Sequence, residues 1–169
     1  MSSAPDDLCA KVEYVAQVLK GRTLGCAESL TAGLITSTLA TVPGISAILR
    51  GGVVCYATDI KHSLLGVDQE LLRRHGPVHP KVAAELALGA ARLLRADFGL
   101  ATTGVAGPGP SYGKAAGTVY VAACVDHHLL VRELAIEGDR DRVRTVAAGA
   151  ALDLVSTLGE QTGPPVCYG

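Results

Sequence analysis

Ser29 and Lys61 are the two side chains of this sequence whose types and positions best suit covalent catalysis. Ser29 lies where a short apolar segment changes to helical spacing, so its hydroxyl would face exposed backbone N–H groups and the positive end of a helix dipole. Such groups stabilise the oxyanion that forms when a nucleophile attacks a carbonyl carbon. Lys61 follows a second apolar segment, and a lysine that burial keeps neutral can act as the base that activates a serine.

Each of these residues also has a common structural role. Serine is a preferred N-cap residue, and on local sequence alone capping is the commoner role for Ser29. Lysine is rarely buried, so a surface position is the commoner one for Lys61. Tyr56, at the end of the second apolar segment, also suits a strand-end core residue with a solvated hydroxyl. The local patterns therefore leave the structural and the catalytic interpretations open.

A glycine-rich loop and a group of arginines are candidates for binding the rest of a substrate. The glycines of residues 104–116 permit positive φ and close approach of the backbone to a phosphate or an amide, although a long hairpin connection needs glycines as well. Arg140 and Arg144 lie in a run of alternating Asp and Arg. Their guanidinium groups either bind a phosphate or form ion pairs on a solvated helix face.

The elements that must position these residues alternate between strand and helix patterns. The predicted strands span residues 23–27, 51–56, 98–102, 118–125 and 129–136, and the predicted helices span residues 6–19, 28–39, 59–65, 68–75, 80–95 and 139–158. The segment 51–56 is continuously apolar, which predicts a strand buried on both faces. This order predicts a three-layer α/β/α sandwich on a mixed, mainly parallel sheet. Ligands bind such sheets at the carboxyl ends of strands, where residues 28–33, 56–61 and 102–114 fall.

Composition restricts the class of protein. The chain has 169 residues, of which 49% are hydrophobic and 18% charged, so we predict one domain over residues 1–158 and a disordered tail over residues 159–169.

A net charge of −1 without a basic stripe argues against nucleic acid as a ligand. The N-terminus lacks a signal pattern and no apolar stretch is long enough to span a membrane, so we expect a cytoplasmic protein without membrane contact. The cysteines and histidines lack metal-ligand spacing, which predicts reduced thiols and no metal. The Ala- and Leu-rich composition is compatible with a homo-oligomer.

Five motifs in order resemble the CinA C-terminal domain family, the nicotinamide-nucleotide amidohydrolases. They are AESLTAG (27–33), GGVVCYATDIK (51–61), LLGV with HGPV (64–78), TTGVAGP with GKAAGTV (102–119) and EGDRDRVR (137–144). The resemblance implies deamidation of nicotinamide mononucleotide, a small-molecule substrate, to nicotinic acid mononucleotide and ammonia. It implies Ser29 as the nucleophile, Lys61 as its activator and Tyr56 as an assisting residue, with neither a metal nor an organic cofactor. The predicted substrate-binding residues are Glu28, Thr31, Gly33, Thr103, Gly104, Gly107, Arg140 and Arg144.

The chain departs from the usual motifs of that family near the proposed nucleophile. The family's usual ESCTGG has a small residue where this chain has Leu30 and a glycine where it has Ala32, and Pro110 lies in a loop that usually carries a double glycine. His79 and Pro80 replace the usual Ser-Glu before the long helix. These departures motivate a second hypothesis, a non-catalytic nucleotide-binding or interaction module in stress or competence physiology. A third hypothesis keeps the serine and lysine chemistry with a different amide.

Overall fold

Helices cover both faces of a central sheet whose inner strands are built almost entirely from buried residues. The computed structural model describes residues 8–163. The strands are β1 (Leu24–Glu28), β2 (Leu49–Val54), β3 (Phe98–Gly104), β4 (Thr118–Val125) and β5 (His128–Ala135). The helices are α1 (Leu8–Val18), α2 (Leu34–Leu39), α3 (Thr58–Leu65), α4 (Gln69–His75), α5 (Pro80–Leu94) and α6 (Arg140–Thr162), and a short 3₁₀ helix, Ile45–Ala47, precedes β2.

The five strands form one mixed sheet in the order β2-β1-β3-β4-β5. β1 pairs in parallel with β2 on one side and with β3 on the other, whereas β3 and β4, and then β4 and β5, pair antiparallel. Only β4 therefore runs against the other strands, and the mixed sheet with one late hairpin confirms the prediction. The carboxyl ends of β1, β2 and β3 lie side by side at one edge of the sheet.

Two apolar cores, one on each face of the sheet, complete the predicted three layers. On β4, Val121 faces the core formed with α1, α2 and α6, and Ala122 faces the core formed with α3, α4 and α5. This alternation is the two-residue period of a strand. Gly99 lets α5 lie close against β3, because a Cβ there would lie 1.9 Å from the carbonyl oxygen of Ala87. The Cys26, Cys55 and Cys124 side chains are buried free thiols, as their apolar surroundings in the sequence predict.

The prediction that residues 51–56 form a strand buried on both faces is wrong. β2 lies at the edge of the sheet with only β1 as a partner, and its residues alternate between half-buried and exposed. Val54 is 51% exposed. The apolar run therefore reflects an edge strand followed by Cys55, which is buried, and Tyr56, which is exposed.

The predicted disordered tail is wrong for residues 159–162, which continue α6. Gly159 is buried, and a Cβ there would lie 2.6 Å from Val18, so α1 packs directly on this last part of the helix. Glu160 accepts a hydrogen bond from the hydroxyl of Tyr14. The rest of the predicted tail, residues 164–169, and the predicted helix start at Asp6 and Asp7 lie outside the described residues.

Candidate active site

A cleft of about 540 Å³ opens at the carboxyl ends of β1, β2 and β3. Its walls include Ser29, which follows β1, Tyr56 and Lys61, which follow β2, and the loop that leaves β3. The backbone N–H of Ser29 donates to the carbonyl oxygen of Thr102 at 3.1 Å, which fixes the segment after β1 against β3. The volume lies within the range of about 300–1,000 Å³ that small-molecule sites occupy. The three segments that the sequence selected therefore meet at one site.

Lys61 lies in the first turns of α3 and reaches Ser29 across the cleft floor. Its Nζ is 3.0 Å from the Ser29 Oγ, and it also donates to the carbonyl oxygens of Cys55 at 2.5 Å and Tyr56 at 3.2 Å. The lysine is 1% exposed and Ser29 is 8% exposed. This burial differs from the surface position that is commoner for lysine.

Burial lowers the pKa of the Lys61 ammonium, and the nearby Cys55 thiol opposes this effect in part. Among residues 8–163 no carboxylate forms an ion pair with Lys61. A neutral amine has two N–H groups and one lone pair. The ammonium donates its three N–H groups to the carbonyl oxygens of Cys55 and Tyr56 and to the Ser29 Oγ. In the neutral form the carbonyl oxygens would keep the two N–H groups, and the lone pair would face the Ser29 hydroxyl.

The Ser29 hydroxyl does not cap a helix. Residues 29–33 form turns, and α2 begins at Leu34, later than the predicted helix start at residues 28–31. The N-terminal donors of α2 are satisfied by Glu28, whose carboxylate accepts from the N–H groups of Gly33, Ile35 and Thr36 and from the Thr36 hydroxyl. The capping interpretation is therefore wrong for Ser29, and its hydroxyl faces Lys61 instead.

Glu28 is 1% exposed and does not line the cleft. Its position behind Ser29, together with the hydrogen bonds to α2, makes it part of the fold rather than the substrate contact that the sequence predicted. Gly33, the residue before α2, has a φ of 94° and donates to the same carboxylate at 3.0 Å. It also lies away from the cleft walls. One buried carboxylate thus holds the turn that presents Ser29.

Two further residues predicted to contact substrate, Thr31 and Arg144, also have side chains that lie behind the turn of residues 29–33. The Thr31 hydroxyl is 2.8 Å from that of Thr102, and both residues are fully buried. Arg144 donates through Nε to the carbonyl oxygen of Leu30 at 3.0 Å and through Nη2 to that of Thr31 at 3.1 Å. The arginine therefore anchors α6 to the turn of Ser29, and neither side chain lines the cleft.

Tyr56, Arg140 and Gly107 line the cleft and are linked to one another. Arg140 donates to the Tyr56 hydroxyl at 2.6 Å and to the carbonyl oxygen of Gly107 at 2.7 Å. Tyr56 is 56% exposed, so its phenol lies at the mouth of the cleft while its carbonyl oxygen bonds Lys61. The phenol hydroxyl is bonded to Arg140 rather than to Ser29 or Lys61.

Thr103 and Gly104 also line the cleft, but as the last residues of β3. They pair with Tyr120 and Val119 of β4, so both residues belong to the sheet rather than to the loop that follows it. The Thr103 hydroxyl donates to the carbonyl oxygen of Pro77 at 2.7 Å and so joins β3 to the segment before α5.

The backbone N–H groups of the turn that begins at Ser29 are candidates for binding an oxyanion. The N–H of Ser29 already donates to Thr102. Those of Leu30 and Thr31 donate to no acceptor in the part of the chain that the structure describes. Two adjacent donors beside a nucleophile are the arrangement that stabilises a tetrahedral intermediate.

Several residues of the site escaped the sequence analysis. Backbone carbonyls, such as those of Cys55 and Tyr56 that bind Lys61, leave no trace in side-chain patterns. Pro77 and Val78 line the cleft and belong to the HGPV motif, so that motif was the available signal. Tyr112 lines the cleft from the exposed loop between β3 and β4, where an aromatic side chain at the tip was the signal.

Comparison with known protein families decides the relationship that the motifs suggested. The family described as the CinA C-terminal domain matches residues 10–158. This chain belongs to that family. A CinA-like protein of Frankia casuarinae is 45% identical over 153 residues, which cover 90% of this chain and 35% of that protein. A putative competence-damage inducible protein of Caldanaerobacter subterraneus is 42% identical over 146 residues, covering 85% of this chain and 35% of that protein. The chain thus spans about a third of the length of these relatives.

Solved structures of CinA proteins share the whole fold. The competence/damage inducible protein CihA from Agrobacterium tumefaciens superposes with a TM-score of 0.86 at 33% identity, covering 94% of this chain and 99% of that one. A competence-damaged protein (CinA) superfamily protein from Escherichia coli also gives 0.86, at 29% identity, covering 95% of this chain and 94% of that one. The CinA domain therefore occurs in solved chains of similar length.

Two departures from the usual CinA motifs have a visible structural effect. Ala32, where the family usually has glycine, keeps the left-handed backbone with a φ of 49°. His79, where the family usually has serine, caps α5 through its Nδ1, which accepts from the N–H of Lys81 at 3.2 Å. Ala32 thus adopts a backbone conformation that favours glycine, and the His79 side chain supplies the cap of α5. Within residues 8–163 no three metal-binding side chains come together, and no helix is long and apolar enough to cross a membrane.

Proposed function

We propose that this chain is an amidohydrolase that deamidates nicotinamide mononucleotide to nicotinic acid mononucleotide and ammonia. The observation that carries the proposal is the buried Lys61 Nζ, 3.0 Å from the Ser29 Oγ and without a carboxylate partner among the described residues. A serine is a weak nucleophile unless an adjacent base removes its proton. A lysine whose pKa is lowered by burial is such a base.

The proposed reaction has two steps. Neutral Lys61 removes the Ser29 proton as Oγ attacks the carboxamide carbon, and the N–H groups of Leu30 and Thr31 bind the developing oxyanion. The C–N bond then breaks, and a proton from the Lys61 ammonium converts the leaving amide nitrogen to ammonia. Water, deprotonated by Lys61, cleaves the acyl-enzyme and releases the carboxylate product with Ser29 restored.

The choice of a pyridine nucleotide rests on membership of the CinA family and on the shape of the cleft. The cleft is deep enough to hold Ser29 at its floor, and its walls carry both apolar and cationic side chains, among them Val78 and Arg140. We also propose a cytoplasmic site of action, because the buried thiols of Cys26, Cys55 and Cys124 are unpaired and such thiols are typical of reducing compartments.

The test is ammonia release from nicotinamide mononucleotide by Ser29→Ala and Lys61→Met variants. Both should lower kcat by at least about a thousandfold, because removal of a nucleophile or its base leaves only binding and oxyanion stabilisation. Ser37→Ala, on the exposed face of α2, and Lys20→Met, an exposed residue after α1, are matched controls and should keep wild-type rates.

Wild-type protein that binds the mononucleotide without releasing ammonia would overturn the proposal and favour the non-catalytic module. Turnover of other amides but not of this one, with the same dependence on Ser29, would keep the chemistry and replace the substrate. Far-ultraviolet circular dichroism of each variant checks that lost activity does not reflect a lost fold.

A further inference from the structure

Four basic side chains lie next to the segments that form one wall of the cleft, and none of the four lines the cleft itself. His75 ends α4, His79 caps α5, Lys81 lies in the first turn of α5, and Lys114 lies in the loop between β3 and β4. The rings of His75 and His79 are 4.7 Å apart between centroids. We refer to these four residues as the basic rim.

The basic rim borders the cleft that contains Ser29. Pro77 and Val78, which lie between the two histidines, line that cleft. Ser111 and Tyr112 line it from the other side, and the backbone of Ser111 pairs with that of Lys114 in a tight hairpin. The Tyr112 ring packs against Gly76, so the hairpin and the segment that joins α4 to α5 touch at this rim.

The positive groups of the basic rim have no acidic partner in residues 8–163. Several other cations of the described chain do form ion pairs: Arg73 and Arg74 with Glu70, Lys11 with Asp153, and Arg22 with Asp126. Burial lowers the pKa of His79, and the positive charges of His75, Lys114 and Lys81 lower it further. Like charges held together without a counter-charge favour the binding of an anion.

His79 offers a hydrogen-bond donor to such an anion. Its Nδ1 accepts from the backbone N–H of Lys81, so the neutral ring carries its proton on Nε2. The ring therefore donates without being protonated, and the cap on α5 is kept. The ammonium groups of Lys81 and Lys114 supply the charge, and the first turn of α5 adds the positive end of the helix dipole.

The two arginines predicted for the phosphate have other partners. Arg144 donates to the carbonyl oxygens of Leu30 and Thr31. Arg140 donates to the carbonyl oxygen of Gly107 and to the Tyr56 hydroxyl. Arg144 does not line the cleft, and Arg140 already uses two of its N–H groups to hold Gly107 and Tyr56. Lys81 and Lys114 have no such side-chain contacts in the described part of the chain.

We propose that the basic rim binds the phosphate monoester of the substrate while the carboxamide lies at Ser29. This inference rests on the proposed function, since it takes a mononucleotide as the substrate. It separates the two arginines, which hold the walls of the site, from the residues that select a phosphorylated ligand. The chain should therefore prefer nicotinamide mononucleotide to nicotinamide riboside, which lacks the phosphate.

The test is the ratio of kcat/KM for the mononucleotide to that for the riboside in Lys114→Gln and Lys81→Gln variants. A charge-assisted hydrogen bond to phosphate contributes enough that each substitution should lower this ratio about tenfold or more, through KM for the mononucleotide. Lys20→Gln removes the same charge from a remote position and should keep the wild-type ratio. An unchanged ratio in both rim variants would overturn the proposal.

A second measurement separates failure of the rim from failure of the proposed reaction. If wild-type protein hydrolyses neither compound, calorimetric titration with ribose 5-phosphate still tests the rim. A dissociation constant raised about tenfold in Lys114→Gln supports a phosphate site. A dissociation constant equal to that of Lys20→Gln overturns it.

Discussion

Glu28→Gln tests whether the Glu28 carboxylate holds the turn of residues 29–33, which carries Ser29. The carboxylate is buried, and each of its oxygens accepts two hydrogen bonds: Oε2 from the N–H groups of Gly33 and Ile35, and Oε1 from the N–H and the hydroxyl of Thr36. Glutamine has nearly the same shape, so it leaves no cavity. It replaces one acceptor oxygen by a donor NH₂ group and removes the charge.

The cost follows from which oxygen is replaced. Facing the NH₂ group toward Thr36 is the less costly choice, because the Thr36 hydroxyl can rotate and accept whereas the Thr36 N–H cannot. One buried N–H then lacks an acceptor, at about 1–3 kcal/mol, and the bonds from Gly33 and Ile35 weaken by about 1 kcal/mol each as their acceptor loses its charge. We therefore expect the free energy of unfolding to fall by about 3–5 kcal/mol.

Urea denaturation at pH 7 measures this change, with Glu13→Gln on the exposed face of α1 as the matched control, expected within about 0.5 kcal/mol of wild type. The kcat for amide hydrolysis should fall as well, because the turn that carries Ser29 loosens. A loss of stability below about 1 kcal/mol would refute the capping role. A raised KM at unchanged stability would instead restore the substrate contact that the sequence predicted for Glu28.

Three further predictions concern Lys61 and Ala32. Since burial lowers the pKa of Lys61, kcat/KM should rise with pH to a plateau, with an inflection below the ordinary pKa of lysine. Lys61→Arg should be inactive at every pH, because arginine does not deprotonate. At pH values between the lowered pKa of Lys61 in the folded chain and its ordinary pKa, the unfolded chain binds more protons than the folded one. The free energy of unfolding of wild type should therefore rise with pH in this range. Urea denaturation at several pH values should show that Lys61→Met lacks this rise. Ala32→Gly should increase the free energy of unfolding by about 0.5–1 kcal/mol, because glycine adopts a φ of 49° without strain. Ala40→Gly is the control: Ala40 has a φ of −65°, so glycine there should decrease the free energy of unfolding. Thermal unfolding that shows the same sign for both variants would contradict this reasoning.

Strand and helix patterns located most of the fold in advance. The helices α3, α4 and α5 and the hairpin of β4 and β5 lie close to their predicted bounds, because each has a clear apolar period or a terminating glycine or proline. β2 was misjudged because an apolar run has the same appearance at the edge of a sheet as at its centre. α2 begins late because its cap is the buried side chain of Glu28, which lies before Ser29 rather than at the helix start.

The sequence by itself determined the class of fold, the CinA motifs and the choice of Ser29, Lys61 and Tyr56 as candidates, because these depend on residue types at fixed spacing. Only the tertiary structure decided which polar residues face the cleft. Glu28, Thr31 and Arg144 lie in the same motifs as Ser29 and Arg140, yet their hydrogen bonds point into the protein. Whether a polar side chain meets substrate or backbone depends on the relative placement of strands and helices far apart in the chain. The 3.0 Å contact between Ser29 and Lys61 is set by the parallel pairing of β1 and β2, which brings the segments after these strands together, and not by any local pattern.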